Sequence, residues 1–294
     1  MNFQQYEALL KTVELGSFTK AAVALGYTQS GISHMLAALE KECGCTLLYR
    51  DRGGVRLSSE GALLLPYFRT VAHGQRELND KLSELRGLES GLISIGTITS
   101  VSVQWLPSII QEFHAAHPSI DFELHYGEDY FEIEKWIDEG AVDCGFVALP
   151  TAVPLDSRFL LRDPFLAVLP PAHPLTEQKL ASPADLAAYP FVRLAEGNDN
   201  EIGSIFSRYE IEPDVRLTAW DNQTEVALIS KGLGVSILPQ LLLRDMPYDF
   251  VTLPLDPPVF RDLALATRPN SDLSAATAAF VECAVNWIKK TVEN

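Results

Sequence analysis

A chain of 294 residues, 47% of them hydrophobic, is long enough for about two domains with substantial cores. It has no apolar run of about 18 residues, and its start, MNFQQYEALLKTVE, lacks a basic stretch leading into a hydrophobic one. Membrane spanning and secretion are therefore disfavoured, and a cytoplasmic setting is expected. The net charge of −16 argues at first against nucleic acid. Residues 1–90, however, hold ten Lys and Arg against ten Asp and Glu, so the whole acidic excess lies in 91–294.

Asn2 is placed to cap a first helix, Phe3–Glu14, whose Phe3, Tyr6, Leu9, Leu10 and Val13 form one apolar stripe. Gly16 ends it and Ser17 caps the next. Phe18–Leu39 then reads as two short helices around a tight turn at Gly26. Ala21, Ala22 and Leu25 make the inner face of the first, and Ile32, Met35, Leu36 and Leu39 that of the second. Thr28, Gln29, Ser30, Ser33 and His34 remain outward, short polar side chains suited to base edges and phosphates. A plain helical hairpin with a solvated face is the competing reading.

Gly44 closes the third helix. Strands at Thr46–Arg50 and Val55–Ser58 flank the turn Asp51-Arg52-Gly53-Gly54, a hairpin signal. Arg50, Arg52 and Arg56 make this hairpin basic, fit to touch phosphates beside the polar helix. From Ser58 or Ser59 a long helix runs to about Leu88. Its Leu64, Phe68, Val71, Gln75, Leu78, Leu82 and Leu85 alternate at four and three residues, the pattern of a helix that pairs with another helix. Pro66, in its first two turns, is expected to kink it. About 30 residues give roughly 45 Å, enough to hold two heads apart.

Beyond Gly91 strands alternate with helices: a strand at Leu92–Ile98, a helix at Ser102–Ala116, a strand at Asp121–Gly127, a helix at Phe131–Glu139 and a strand at Cys144–Leu149. After a reset at Arg162-Asp163-Pro164, strands follow at Phe165–Leu169, Phe191–Leu194, Val215–Ala219, Val235–Leu238 and Phe250–Leu253. Arg261–Thr267 leads back to a closing helix, Leu273–Val292. This predicts a mainly parallel sheet and two α/β lobes crossing near 162–164 and 266–269, with a ligand cleft between them. Thr99, Ser100 and Ser102, at the first strand's end, suit a carboxylate or other anion. Opposite them, Gln223 and Thr224 are the preferred ligand contacts, while Asn222, at capping-box spacing from Glu225, is read as a cap. Asn198 is a rim candidate. No Arg or Lys falls among these positions, which points to a small polar or weakly anionic metabolite.

These stretches, SFTKAAVALGYTQSGISHMLAALEKECG, LLYRDRGGVRLSSEGALLLPYFRTV, VLPPAHPL and KGLGVSILP, resemble a LysR-type transcriptional regulator over the whole chain. The resemblance implies an α+β multidomain protein. Its parts would be a winged helix-turn-helix (1–58), a linker and dimerisation helix (59–88) and a periplasmic-binding-protein-like effector domain (91–294). Within that domain, subdomain I is 91–162 and 267–294, and subdomain II is 163–266. It also implies a homodimer or homotetramer on double-stranded promoter DNA, with RNA polymerase a further candidate partner and no cofactor. DNA contacts would come from Thr28, Gln29, Ser30, Ser33 and His34, with Arg50 and Arg52 on the wing. His34 departs from a frequent arginine, which weakens phosphate attraction or ties it to pH.

The rival readings are a metabolic enzyme with an accessory helical domain and a cytoplasmic small-molecule-binding protein. Against an enzyme, no nucleophile elbow, P-loop, dinucleotide fingerprint or HExxH is present. Cys43, Cys45, Cys144 and Cys283 are scattered, as in a reducing compartment, and Cys43-x-Cys45 is too short for the usual zinc spacing. A redox role for that pair is the alternative to small buried thiols.

Overall fold

A computed structural model describes residues 1–51, 54–85, 91–127, 129–195, 199–269 and 273–292. The chain divides into two compact units, Met1–Gly91 with Glu139–Ala141, and Leu92–Asp138 with Val142–Asn294.

The first unit is built from α1 (Phe3–Leu15), α2 (Phe18–Leu25), α3 (Gln29–Cys43), the hairpin β1 (Leu48–Asp51) and β2 (Gly54–Leu57), and α4 (Ser59–Leu85). Each of the first three helices is delimited by its own cap residues. Asn2 and Gln5 form a capping box, Ser17 Oγ accepts from Lys20 N, and Thr28 Oγ1 accepts from Gly31 N. Gly16, Gly26 and Gly44 end them at φ of 59°, 70° and 72°, where a Cβ would be strained. The core comprises Ala8, Leu9, Phe18, Ala22, Ile32, Leu36, Leu39, Leu47, Leu48 and Phe68.

Helix α4 continues past Pro66 rather than ending there, and is described as far as Leu85. Two residues of its expected pairing seam are used elsewhere: Phe68 is buried in the core of the first unit, and Leu64 packs against it. The face that stays exposed carries Leu63, Tyr67, Val71, Leu78 and Leu82. These fall on one stripe about 100° wide at 3.6 residues per turn, rotated from the expected seam because the hairpin and α1 claim the other side of the first turns.

The second unit runs β3 (Gly91–Thr97), α5 (Thr99–Gln104), α6 (Leu106–Ala116), β4 (Ile120–Tyr126), α7 (Tyr130–Asp138), β5 (Cys144–Leu149) and β6 (Asp156–Leu169). It continues with α8 (Pro183–Ala187), β7 (Phe191–Leu194), α9 (Asp199–Ser207), β8 (Val215–Ala219), α10 (Asn222–Ser230), β9 (Ser236–Pro239), α11 (Gln240–Leu243), β10 (Val251–Pro254), β11 (Phe260–Thr267) and α12 (Ala275–Val292). The helix expected from Ser102 is two helices, broken at Trp105 where Pro107 opens the second.

The expectation of a mainly parallel sheet is corrected. One seven-stranded sheet runs β10-β6-β11-β5-β3-β4, with β9 also on β6, and β10, β9 and β11 all pair antiparallel with β6. The reason is the crossing itself. β6 is 14 residues long; its first half pairs with β11 returning the other way, and its second half carries β9 and β10. Leu160 of β6 belongs to the first lobe's core, and Phe165, Ala167 and Leu169 to the second's. Leu263, Ala264, Leu265 and Ala266 of β11 pack in the first lobe's core, so the return crossing lies near 260–262 rather than 266–269.

Candidate functional site: a polar helix and a buried-charge cleft

The first site is the outer face of α3. Thr28, Gln29, Ser30 and His34 are exposed, Ser33 is half-buried, and Ile32, Leu36 and Leu39 turn inward to the core. Thr28 serves twice, capping α3 and meeting Ser30 Oγ at 3.1 Å. Arg50 reaches back from β1, donating from Nη2 to Ser33 Oγ at 2.9 Å, with its guanidinium 3.5 Å from the centre of the Phe18 ring. The hairpin is thereby fastened to the polar helix through a cation–π contact and a hydrogen bond. Glu40 Oε1 accepts from Leu47 N and Leu48 N, which fixes the hairpin's entry. Arg52 lies outside the described residues.

The second site is a small open cleft in the second unit. Thr99 and Ser100 line it, as expected, together with Tyr126, Leu194, Asn222 and Arg261 among others. Thr99 Oγ1 donates to Tyr126 Oη at 3.1 Å. Ser102 donates to Thr99 O and is not among the lining residues. Asn198 lies outside the described residues.

The α10 assignment is reversed. Asp221 is the cap, accepting from both Thr224 N and Thr224 Oγ1, so the Thr224 hydroxyl is occupied. Gln223 and Thr224 are exposed and do not line the cleft, whereas Asn222 does. Asn222 is 7% exposed, and its side-chain amide faces the Glu225 carboxyl. Behind it Glu225 is fully buried, with Ser236 Oγ donating to its Oε1 at 2.7 Å. Burial pushes the Glu225 carboxyl up to about 7, although hydrogen bonds from Ser236 and Asn222 act against the shift.

Arg261 corrects the expectation that no arginine enters the cleft. Its Nε and Nη2 donate to Asp163 Oδ2 at 2.9 and 2.7 Å, Nη2 to Ser100 Oγ and Nη1 to Tyr130 Oη at 2.9 Å each. Asp163 Oδ1 accepts from Leu241 N, so every oxygen of this buried pair is engaged. Burial disfavours the Arg261 charge, but Tyr130, Asp163 and Glu201 outweigh it, and the guanidinium holds its proton more tightly than usual. Nothing in the local sequence marks this group, because its members come from α5, α7, β6 and β11. Among the described residues, no three His, Cys, Asp or Glu side chains gather as a metal site would require, and no helix is long and apolar enough to cross a membrane.

Residues 3–62 match the family described as "Bacterial regulatory helix-turn-helix protein, lysR family", and residues 86–289 match "LysR substrate binding domain". The uncharacterized HTH-type transcriptional regulator YvbU of Bacillus subtilis is 31% identical over 287 residues, spanning 97% of this chain and 98% of that protein. The DNA-binding transcriptional dual regulator OxyR of Escherichia coli is 29% identical over 286 residues, 93% of this chain and 91% of its own. Among solved structures, full-length OxyR C199D from Pseudomonas aeruginosa superposes with a TM-score of 0.72 at 20% identity, covering 98% of this chain and 95% of that one. Full-length CbnR, in complex with its target DNA, gives 0.65 at 20%, covering 98% and 100%, which speaks to the fold. This chain therefore belongs to the LysR family of transcriptional regulators, with a DNA-binding helix-turn-helix and an effector-binding domain, and it is not an enzyme.

Proposed function

We propose that α3 reads a duplex operator through Thr28, Gln29, Ser30, Ser33 and His34, with Arg50 and Arg52 gripping the phosphates alongside. The observation that carries this is the arrangement of α3 itself: a polar face held outward by three capped helices, with a basic hairpin bonded to its middle. Two copies pair through the exposed apolar stripe of α4. Val71, Leu78 and Leu82 of the expected seam contribute, joined by Leu63 and Tyr67. Homodimers assembling further into tetramers on promoter DNA, in contact with RNA polymerase in the cytoplasm, complete the reading.

The cleft takes a small polar or weakly anionic metabolite, held by Thr99, Ser100 and Asn222. The reason differs from the one the sequence suggests. A cation is present, but Asp163 already neutralises it, so hydroxyl and amide donors are left to face the ligand. Effector binding closes the cleft and shifts the oligomer between two states that bend DNA differently, which requires unequal affinity for the two.

Gel retardation with the intergenic DNA upstream of the gene, over a salt series, tests the reading. Gln29→Ala is expected to lose about 1–3 kcal/mol of discrimination between operator and scrambled DNA, while keeping the salt slope of wild type. Unchanged affinity and specificity would overturn the assignment of α3.

A further inference from the structure

Among the described residues the helix caps share one geometry, in which a side-chain oxygen accepts from the backbone N–H three residues on. That third residue is Gln5 in α1, Lys20 in α2, Glu132 in α7, Asp185 in α8, Thr224 in α10 and Thr277 in α12. It is glycine in two helices, Gly31 in α3 and Gly61 in α4. A cap of this kind therefore has room for a Cβ. Gly61 has a reason inside the chain, since its Cβ would strike Leu47 O. Gly31 has none. Its backbone is right-handed helix, and a Cβ there would meet only Thr28 Oγ1 at 3.2 Å and Tyr27 Cβ at 4.0 Å. The Thr28 hydroxyl ends a rotatable side chain and can give by the small amount required. Glycine is a poorer helix former than every residue but proline, so α3 carries a weakness that no contact within the chain explains. Gly74 and Gly203 are as open within their helices. Of the three, only Gly31 lies among the side chains of the polar face, beside Ser30 and one turn from Thr28 and His34.

We propose that the sugar-phosphate backbone of bound DNA passes in van der Waals contact with the Gly31 Cα, and that the missing side chain sets how deeply α3 enters the major groove. This rests on the reading of α3 given above and adds a positioning residue to it. At about 100° per residue, Gly31 falls at the margin of the polar arc made by Gln29, Ser33, Ser30 and His34, not at its centre. It is half-buried, whereas Gln29, Ser30 and His34 are exposed. The centre of a helix lying in the groove faces base edges, while its margin faces the groove wall, which is backbone. A methyl group at the margin would push the helix outward as a body. Every contact made by the polar arc would lengthen together, whatever the DNA sequence.

The test is Gly31→Ala in the full-length protein, with two readouts. Thermal melting is expected at or above the wild-type temperature, because alanine favours the helix and restricts the unfolded chain. Gel retardation uses the intergenic duplex upstream of the gene and a scrambled duplex of equal length, at a salt concentration where wild type binds both. Affinity for both duplexes is expected to fall about tenfold, the effect of a methyl group forced into a filled space. Unchanged affinity would overturn the proposal. A loss confined to the intergenic duplex would overturn it too, since it would put a base rather than the backbone against Gly31. A lowered melting temperature would assign the glycine to the Thr28 cap and overturn it as well. Gln29→Ala, run beside it, separates this proposal from the reading beneath it. If Gln29→Ala loses discrimination while Gly31→Ala binds as wild type, the close approach falls and the reading of α3 stands. If neither variant differs from wild type, the reading has failed and the proposal with it.

Discussion

The two functional regions of this chain are built on opposite principles. The face of α3 is a set of exposed, singly held side chains on a small core, and every helix behind it is capped by residues within three positions of its end. The cleft rests on groups that are buried and committed to one another. Arg261 bonds Asp163 across 98 residues and Ser100 across 161. An exposed reading surface can change its contacts without unfolding, because each side chain gives up only water. A buried charge cannot, because removing one partner strands the other in a medium that solvates it poorly.

The sharpest way to break this contrast is Arg261→Ala. It leaves Asp163 buried without its cation and is expected to destabilise the effector domain by about 3–5 kcal/mol, read by denaturant unfolding. A loss below about 1 kcal/mol would mean that the pair is solvated and the comparison wrong.

Glu225 sharpens the same point through pH. Its carboxyl rises from 4.5 to about 7 on folding, so the native state holds a proton that the unfolded chain gives up. The stabilising contribution is complete below about 4.5 and is lost as pH rises through 7. Glu225→Gln is expected to remove that slope and to leave the variant more stable than wild type at pH 8, by up to about 3 kcal/mol. Parallel melting curves of the two proteins from pH 5 to 8 would contradict the assignment.

In the first unit the expected effects are smaller and come from local sterics. A Cβ on Gly61 would sit 2.2 Å from Leu47 O, a backbone atom that cannot rotate away. Gly61→Ala is therefore expected to lower the stability of the DNA-binding unit by about 1–3 kcal/mol, measured by thermal melting. Thr28→Ala removes the cap of α3 and should take off about 1 kcal/mol, which circular dichroism at rising temperature can detect. If Thr28→Ala proved as damaging as Arg261→Ala, the first unit would not be the locally specified body described here.

The same contrast explains which parts could be read from the sequence. Asn2, Ser17 and Thr28 with Gly16, Gly26 and Gly44 mark three helices by chemistry acting over three or four residues, and the strand boundaries of the hairpin fall within two residues of their expected positions. The α4 stripe was misplaced because Leu64 and Phe68 are apolar at the right spacing for either use, and only the hairpin's position shows that they serve the core. Asn222 was misread for a similar reason. Asn and Glu at capping-box spacing look alike whether the cap is Asn222 or the preceding Asp221, and the backbone shows that Asp221 is the cap.

By itself, then, the amino-acid order determined the ends of the first three helices, the inward and outward faces of α3, the split into a charge-balanced head and an acidic α/β body, and the family to which they belong. All of these rest on interactions between near neighbours or on composition. Only the tertiary structure decided the antiparallel crossing of β6 with β11, the pairing of Arg261 with Asp163, and the presentation of Asn222 to the cleft. Those depend on which distant segments are driven together when apolar surface is buried. A strand's own residues record that it will be buried, but not which partner it will meet.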